Sequence, residues 1–188
     1  MDNLEAYVAT GEGLAYGFEM SIEKPTGRFN GRLSYNYGKS DYQIDVINEG
    51  RWYPYRFDKT HSLTMFSNFQ ITKYLSISST FLYSTGRPVT LPEGYYHISG
   101  IPFPYWEGRN KYRLPDYRRL DLGIKYSPNF LMRWTRGLKT TIDVALYNVY
   151  DRRNIHTINF NQGQKRLFEQ IGQSTYGFMP SININVEF

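Results

Sequence analysis

Chemistry-bearing residues are sparse in this chain. Its three histidines, His61, His97 and His156, stand far apart, and none has a second histidine at metal-binding spacing. Cysteine is absent, which removes thiol nucleophiles, a disulfide framework and Cys-based zinc sites. No Ser/His/Asp arrangement stands out for nucleophilic catalysis. Gly11-Glu-Gly13 lacks the Lys-Ser or Lys-Thr of a phosphate-binding loop. The expectation is therefore a non-enzyme with no catalytic residue, no metal site and no cofactor. Two other groups suit recognition. The stretch 85–117 carries Tyr95, Tyr96, Tyr105, Trp106, Arg109 and Arg113. Aromatic and arginine side chains are common anchors of binding sites, so these six form a candidate ligand loop, fit to stack on sugars or to contact an anionic chelate. The alternative is a loop folded over its own aromatics. A second group, Arg118, Arg119 and Asp121, stands where an alternating segment begins, and Arg119 and Asp121 share its polar face.

These residues need elements to hold them, and the elements announce themselves by period. Pro180-Ser-Ile-Asn-Ile-Asn-Val-Glu-Phe188 alternates strictly, and a period of two marks a β-strand with one apolar and one polar face. The same pattern recurs at 13–24, 28–40, 61–71, 75–84, 118–126 and 138–150. In the first of these Leu14, Tyr16, Phe18, Met20 and Ile22 oppose Ala15, Gly17, Glu19, Ser21 and Glu23. Pro25-Thr-Gly27 and Thr72-Lys-Tyr74 read as tight turns, and 127–137 as a medium one. Long connections span 41–59, 85–117 and 151–175. Seven strands of roughly ten residues, joined alternately by short and long connections, match bacterial outer-membrane barrels. The short turns are then periplasmic and the long loops extracellular. No helix-period segment is long enough to assign.

Composition fits that reading. Aromatics make up 18% of the 188 residues, with 18 Tyr and 12 Phe, as suits surfaces that meet both lipid and water. Net charge is +5, but the cations are scattered between strands rather than clustered in a patch, which argues against a nucleic-acid partner. No apolar run is long enough for a transmembrane helix. The start, Met1-Asp-Asn-Leu-Glu-Ala-Tyr7, has no signal-peptide pattern. An odd strand count is also unusual for a single-chain barrel, so residues 1–188 are expected to be part of a longer chain. A soluble β-sandwich or lipocalin-like barrel would alternate too, with its apolar side turned inward.

The residues also resemble a family over nearly the whole chain. The carriers are Gly11-Glu-Gly13 with Tyr16-Gly-Phe-Glu19, Tyr35-Asn-Tyr37, Asp58-Lys-Thr-His61 and Tyr83-Ser-Thr-Gly-Arg-Pro-Val-Thr-Leu-Pro92. Further along they are Arg109-Asn110, Arg113 to Asp121, Tyr147-Asn-Val-Tyr-Asp-Arg-Arg-Asn154 and the terminal strand. In order and spacing they are similar to the C-terminal part of TonB-dependent outer-membrane receptors of the Bacteroidetes type. That resemblance implies an all-β, antiparallel transmembrane barrel of 22 strands, of which this chain supplies about seven, without the N-terminal strands or the plug. It implies uptake of a scarce nutrient (an iron chelate, cobalamin, a glycan or a peptide) driven through TonB, which contacts a region upstream. The implied partners are outer-membrane lipid, lipopolysaccharide, the rest of the receptor and the barrel-assembly machinery. Phe188 would be the C-terminal assembly signal. Arg119 and Asp121 would face the lumen, either touching plug or substrate or forming an ion-pair ladder at the rim. The competing readings are a non-transporting surface-binding barrel and a soluble β-sandwich binding module.

Overall fold

The structure, a computed structural model, describes residues 9–128, 139–161 and 169–187. Numbered in chain order, its strands are β1 (Gly11–Lys24), β2 (Phe29–Ile44), β3 (Tyr53–Pro54), β4 (His61–Thr72), β5 (Leu75–Ser84), β6 (Pro88–Val89) and β7 (Gly94–Ile98). They continue as β8 (Ile101–Tyr105), β9 (Tyr112–Arg113), β10 (Tyr117–Tyr126), β11 (Lys139–Tyr147), β12 (Ile155–Asn161), β13 (Glu169–Ser174) and β14 (Met179–Glu187). The seven long strands pair in the order β1-β2-β4-β5-β10-β11-β14, and each pairing is antiparallel. All seven expected strands are present, with ends moved by a few residues. Two expectations, the Phe188 signal and most of the turn at 127–137, lie outside the described residues.

Register explains why alternation along single strands becomes two coherent faces. Phe29, Phe69, Ile77, Ile124, Val144 and Ile182 sit opposite one another across six strands. One residue over, Asn30, Asn68, Ser78, Gly123, Ala145 and Ser181 form an equally continuous row on the other face. A slip of one residue between any two strands would mix these rows.

The apolar face is uncovered. Leu14, Tyr16, Phe18, Met20 and Ile22 are each at least half exposed, and Phe29, Phe69, Ile77, Ile124, Ile182 and Ile184 are exposed as well. In a β-sandwich a second sheet packs about 10 Å away over such a face. Among the described residues no sheet does so. From Leu14 to Ile22 the apolar stretch runs about 27 Å along the strand, or about 21 Å of height at a 40° tilt. That is close to the apolar band of about 25 Å on outer-membrane barrels. Charged side chains bracket it: Lys24 and Arg28 lie over Phe29 and Phe69 at one end, and the Lys39–Asp41 ion pair closes the other at 3.1 Å.

The Pro25–Gly27 turn uses a positive φ of 103° at Gly27, a conformation open to glycine without a Cβ penalty. At the next short turn the Thr72 hydroxyl accepts the Tyr74 and Leu75 amides at 3.2 and 3.1 Å. The three long connections all leave the opposite end of the sheet. They are not bare loops. The first contains β3, paired to the end of β2. The second contains the β7–β8 hairpin and the β6–β9 ladder, and the third the β12–β13 hairpin. No helix of the described residues is long and apolar enough to cross a membrane.

Candidate functional site

The long connections interlock through a few polar nodes, of which Asp58 and Asn154 are buried. Asp58 is 3% exposed; its carboxylate accepts the Ser40 amide at 2.9 Å and the Thr60 hydroxyl at 3.1 Å, and it pairs with Arg113. Asp116 accepts the Tyr83 hydroxyl and the Gly86 amide at 2.9 and 3.1 Å. Gly86 must be glycine for a spatial reason: a Cβ there would fall 1.6 Å from the Leu114 carbonyl oxygen. Asn48 clasps the Arg109 backbone at both ends, accepting its amide at 2.6 Å and donating to its carbonyl at 3.0 Å. Asn110 takes a positive φ of 57° and donates to the Pro54 carbonyl at 2.8 Å. Asn154 closes a reciprocal pair with the Arg118 backbone at 2.9 Å each way. Arg87 donates to the His156 carbonyl.

These contacts leave a cleft of ≈ 430 Å³ where all three long connections meet. Tyr42, Tyr53 and Tyr55 form one wall, with Tyr42 and Tyr55 edge to face at 4.9 Å. Arg56, Arg87 and Arg109 also line it, with His156 beside them, and among the described residues no Asp or Glu does. Arg56 lies over the Phe57 ring at 4.7 Å. A second cleft of ≈ 520 Å³ shares Arg87, Leu114 and His156 with the first and adds Lys59 and Tyr117. Chemically the pair of clefts can bind and orient. Among the described residues there is no cluster of three or more metal-ligating side chains.

No protein-family model matches the sequence, and no characterised protein matches it either. Solved structures do match in shape. The ferric-catecholate import receptor Fiu of Escherichia coli K12, in its closed form, superposes over 95% of this chain with a TM-score of 0.59 and 18% identity. The outer-membrane transporter YddB of Escherichia coli superposes over 94% with a TM-score of 0.55 and 15% identity. The fold is that of an outer-membrane transporter barrel. This chain spans 21% and 26% of those two proteins, so the seven-strand sheet corresponds to a section of a transporter-barrel wall.

Within that barrel section the six candidate loop residues separate. Tyr95, Tyr96 and Tyr105 belong to the exposed β7–β8 hairpin, where Tyr96 stacks on Phe103 at 5.8 Å. Trp106 shares a shallow depression with Arg109, and Arg109 alone of the six lines the main cleft. The Arg113 guanidinium is engaged by Asp58 and by the Gly86 carbonyl at 3.0 Å. Arg119 and Asp121 share the polar face of β10 as expected and pair at 3.0 Å. Arg119 also lies over the Tyr147 ring at 4.5 Å, and Asp121 accepts the Asn148 amide at 2.9 Å. Arg118 falls on the opposite face. Tyr42, Tyr53, Tyr55, Arg56 and Arg87, which were not among the candidates, and His156, weighed above only as a metal ligand, are brought together here by three separate connections. A usable signal existed in Arg56 and Arg87, both set in Tyr- or Pro-containing loop segments.

Beside the cleft, Lys111 bridges Glu93 and Glu107 at 2.6 and 2.5 Å. Its hydrogen bonds to Glu107 and then Glu93 raise the Lys111 pKa above the ordinary lysine value. Glu107 is held below its ordinary value, first by its hydrogen bond with Glu93 and then by Lys111.

Proposed function

We propose that this chain is the C-terminal barrel section of a TonB-dependent outer-membrane receptor of the Bacteroidetes type, and that the whole receptor imports a scarce nutrient. One observation carries the reading: seven antiparallel strands present an uncovered apolar face of about bilayer height, with every long connection at one end. Water would penalise such a face, whereas hydrocarbon accepts it. The polar face then lines the lumen, with Arg119 and Asp121 as a rim ion pair. The three long connections face the outside, and the cleft between them meets ligand first. Lipopolysaccharide and outer-membrane lipid surround the wall. The missing strands, plug and TonB-contacting segment are supplied by the rest of the receptor, and the barrel-assembly machinery inserts it.

The test is topology in the full-length gene product. His97 lies on the β7–β8 hairpin and Lys73 in a short turn at the other end, and this chain holds no native cysteine. In intact cells a membrane-impermeant maleimide is expected to label His97→Cys but to reach Lys73→Cys only after the outer membrane is opened. Equal labelling of both in intact cells, or both variants in the soluble fraction, overturns the proposal.

A further inference from the structure

We infer that the cleft between the three long connections is an oxyanion site, built for a carboxylate or phosphate carried on an apolar or aromatic body. The inference rests on the outer-surface placement proposed above and goes beyond it by assigning the ligand's chemistry.

The first ground is unbalanced charge. Arg56, Arg87 and Arg109 line one cleft, and among the described residues no Asp or Glu joins its walls. The adjoining cleft adds Lys59, again without a carboxylate. Two carboxylates of the same loop layer are engaged elsewhere, the buried Asp58 by Arg113 and the part-buried Asp116 by Tyr83 and Gly86. Gathering guanidinium groups without counter-charge costs free energy through mutual repulsion, and an anion placed among them removes that cost.

The second ground is unspent donors on a fixed frame. A guanidinium offers five N–H donors in a planar fork that matches carboxylate and phosphate geometry. Arg87 gives one hydrogen bond, to the His156 carbonyl, and faces the Phe57 ring at 5.9 Å. Among the described residues Arg56 has only its ring contact with Phe57. Arg109 is clamped through its backbone by Asn48, and its guanidinium has no protein partner among the described residues. Positions are thus set by the backbone while the donors stay available, and such preorganisation lowers the cost of binding.

The third ground is size and lining. A volume of ≈ 430 Å³ is far more than a bare phosphate fills, and it falls in the range of small-molecule sites. The Tyr42, Tyr53 and Tyr55 wall, with Val89 and Leu114, offers the apolar and aromatic surface that the remainder of the ligand would cover.

The experiment measures binding by equilibrium dialysis on the full-length protein purified from outer membranes. Its probes are 2-naphthoate, 2-naphthyl phosphate and the neutral 2-naphthalenemethanol. Both anions are expected to bind at least tenfold more tightly than the alcohol, with affinity falling as salt rises. Arg56→Gln with Arg109→Gln is expected to remove at least tenfold of the anion affinity and to leave the alcohol unchanged. Arg153→Gln, an exposed arginine outside the cleft, serves as the control and is expected to change nothing. Tighter binding of the carboxylate or of the phosphate assigns the oxyanion type. Equal binding of alcohol and anions, or full anion affinity in the double variant, overturns the inference. A protein that reaches the outer membrane with the expected labelling pattern but shows either result fails here alone, and the receptor reading survives.

Discussion

The sheet and the loop layer of this molecule are ordered by opposite means. In the sheet the backbone ladder sets every position, and the large apolar side chains along it are exposed. In the loop layer the ladders are short, and order comes from side chains. Tyr53 and Leu114 are buried there, and so are Asp58, Asn148 and Asn154, each hydrogen-bonded to backbone of a neighbouring segment. The contrast follows from the surroundings. A strand with both backbone edges paired tolerates any side chain that suits the medium on its face. A loop exposed to water must bring its own partners for buried N–H and C=O groups. Hence the sheet is robust to polar-face substitution and sensitive to charge on its apolar face, whereas the loop layer depends on a few polar nodes.

The largest expected effect tests the nodes. Asp58→Ala in the full-length receptor strips a partner from Arg113, from the Ser40 amide and from the Thr60 hydroxyl. Asp58 is buried but Arg113 is partly exposed, so the cost comes from three lost hydrogen bonds to a charged carboxylate, about 1.5–3 kcal/mol for one alone and, less than additively, about 3–5 kcal/mol together. Protease cleavage within 45–60 and 109–116 is expected to accelerate between about a hundredfold and a few thousandfold, at about 1.4 kcal/mol per decade, with strand-borne sites unaffected. Unchanged cleavage would remove the distinction between the two regions.

A slightly smaller effect tests the sheet. Ile184 lies on the apolar face opposite Ile142, and Asn183 lies on the polar face opposite Asp143. Ile184→Arg is expected to cost about 2–4 kcal/mol at mid-bilayer depth and to block insertion of the full-length receptor. Asn183→Arg is expected to insert. Equal insertion yields for the two variants, read by heat-modifiable mobility, would sink the assignment of faces.

The smallest effect concerns the exposed Glu93–Lys111–Glu107 cluster. Glu107 is depressed, so its contribution is present above the ordinary glutamate value and disappears as pH falls through its lowered folded value. Lys111 is raised, so its contribution is present below the ordinary lysine value and is lost only as pH rises through its folded one. The cluster therefore holds through neutral pH and loosens in acid. Amide exchange across 106–111, corrected for its intrinsic pH dependence, is expected to rise modestly below the ordinary glutamate range, and added salt should mimic part of the change. A flat profile would count against any local role for the cluster.

The two regions differed as much in legibility as in physics. Alternation at Leu14–Ile22 and Ile182–Val186 specified strands, faces and a common medium, because a period of two survives without knowledge of partners. The loop layer was harder to read. Asp58 and Asn154 carry no local pattern that marks them as buried, and Arg113, grouped in sequence with binding residues, turns out to hold Asp58. Arg109 did reach the cleft, but Arg56 and His156, which line it too, lie about 50 residues to either side in sequence, too far apart for any spacing rule to join.

What the sequence by itself determined is the β period, the seven long strands of the wall, the alternation of short and long connections and the wall's two-faced character. All of these are local, since each depends on residues one or two apart. Tertiary structure alone decided the register that turns Phe29, Phe69, Ile77, Ile124, Val144 and Ile182 into one apolar row, and the meeting of Arg56, Arg87 and Arg109 in a cleft that no Asp or Glu of the described residues lines. Both depend on which distant segments lie side by side, and that is settled by backbone pairing and by buried polar contacts between segments.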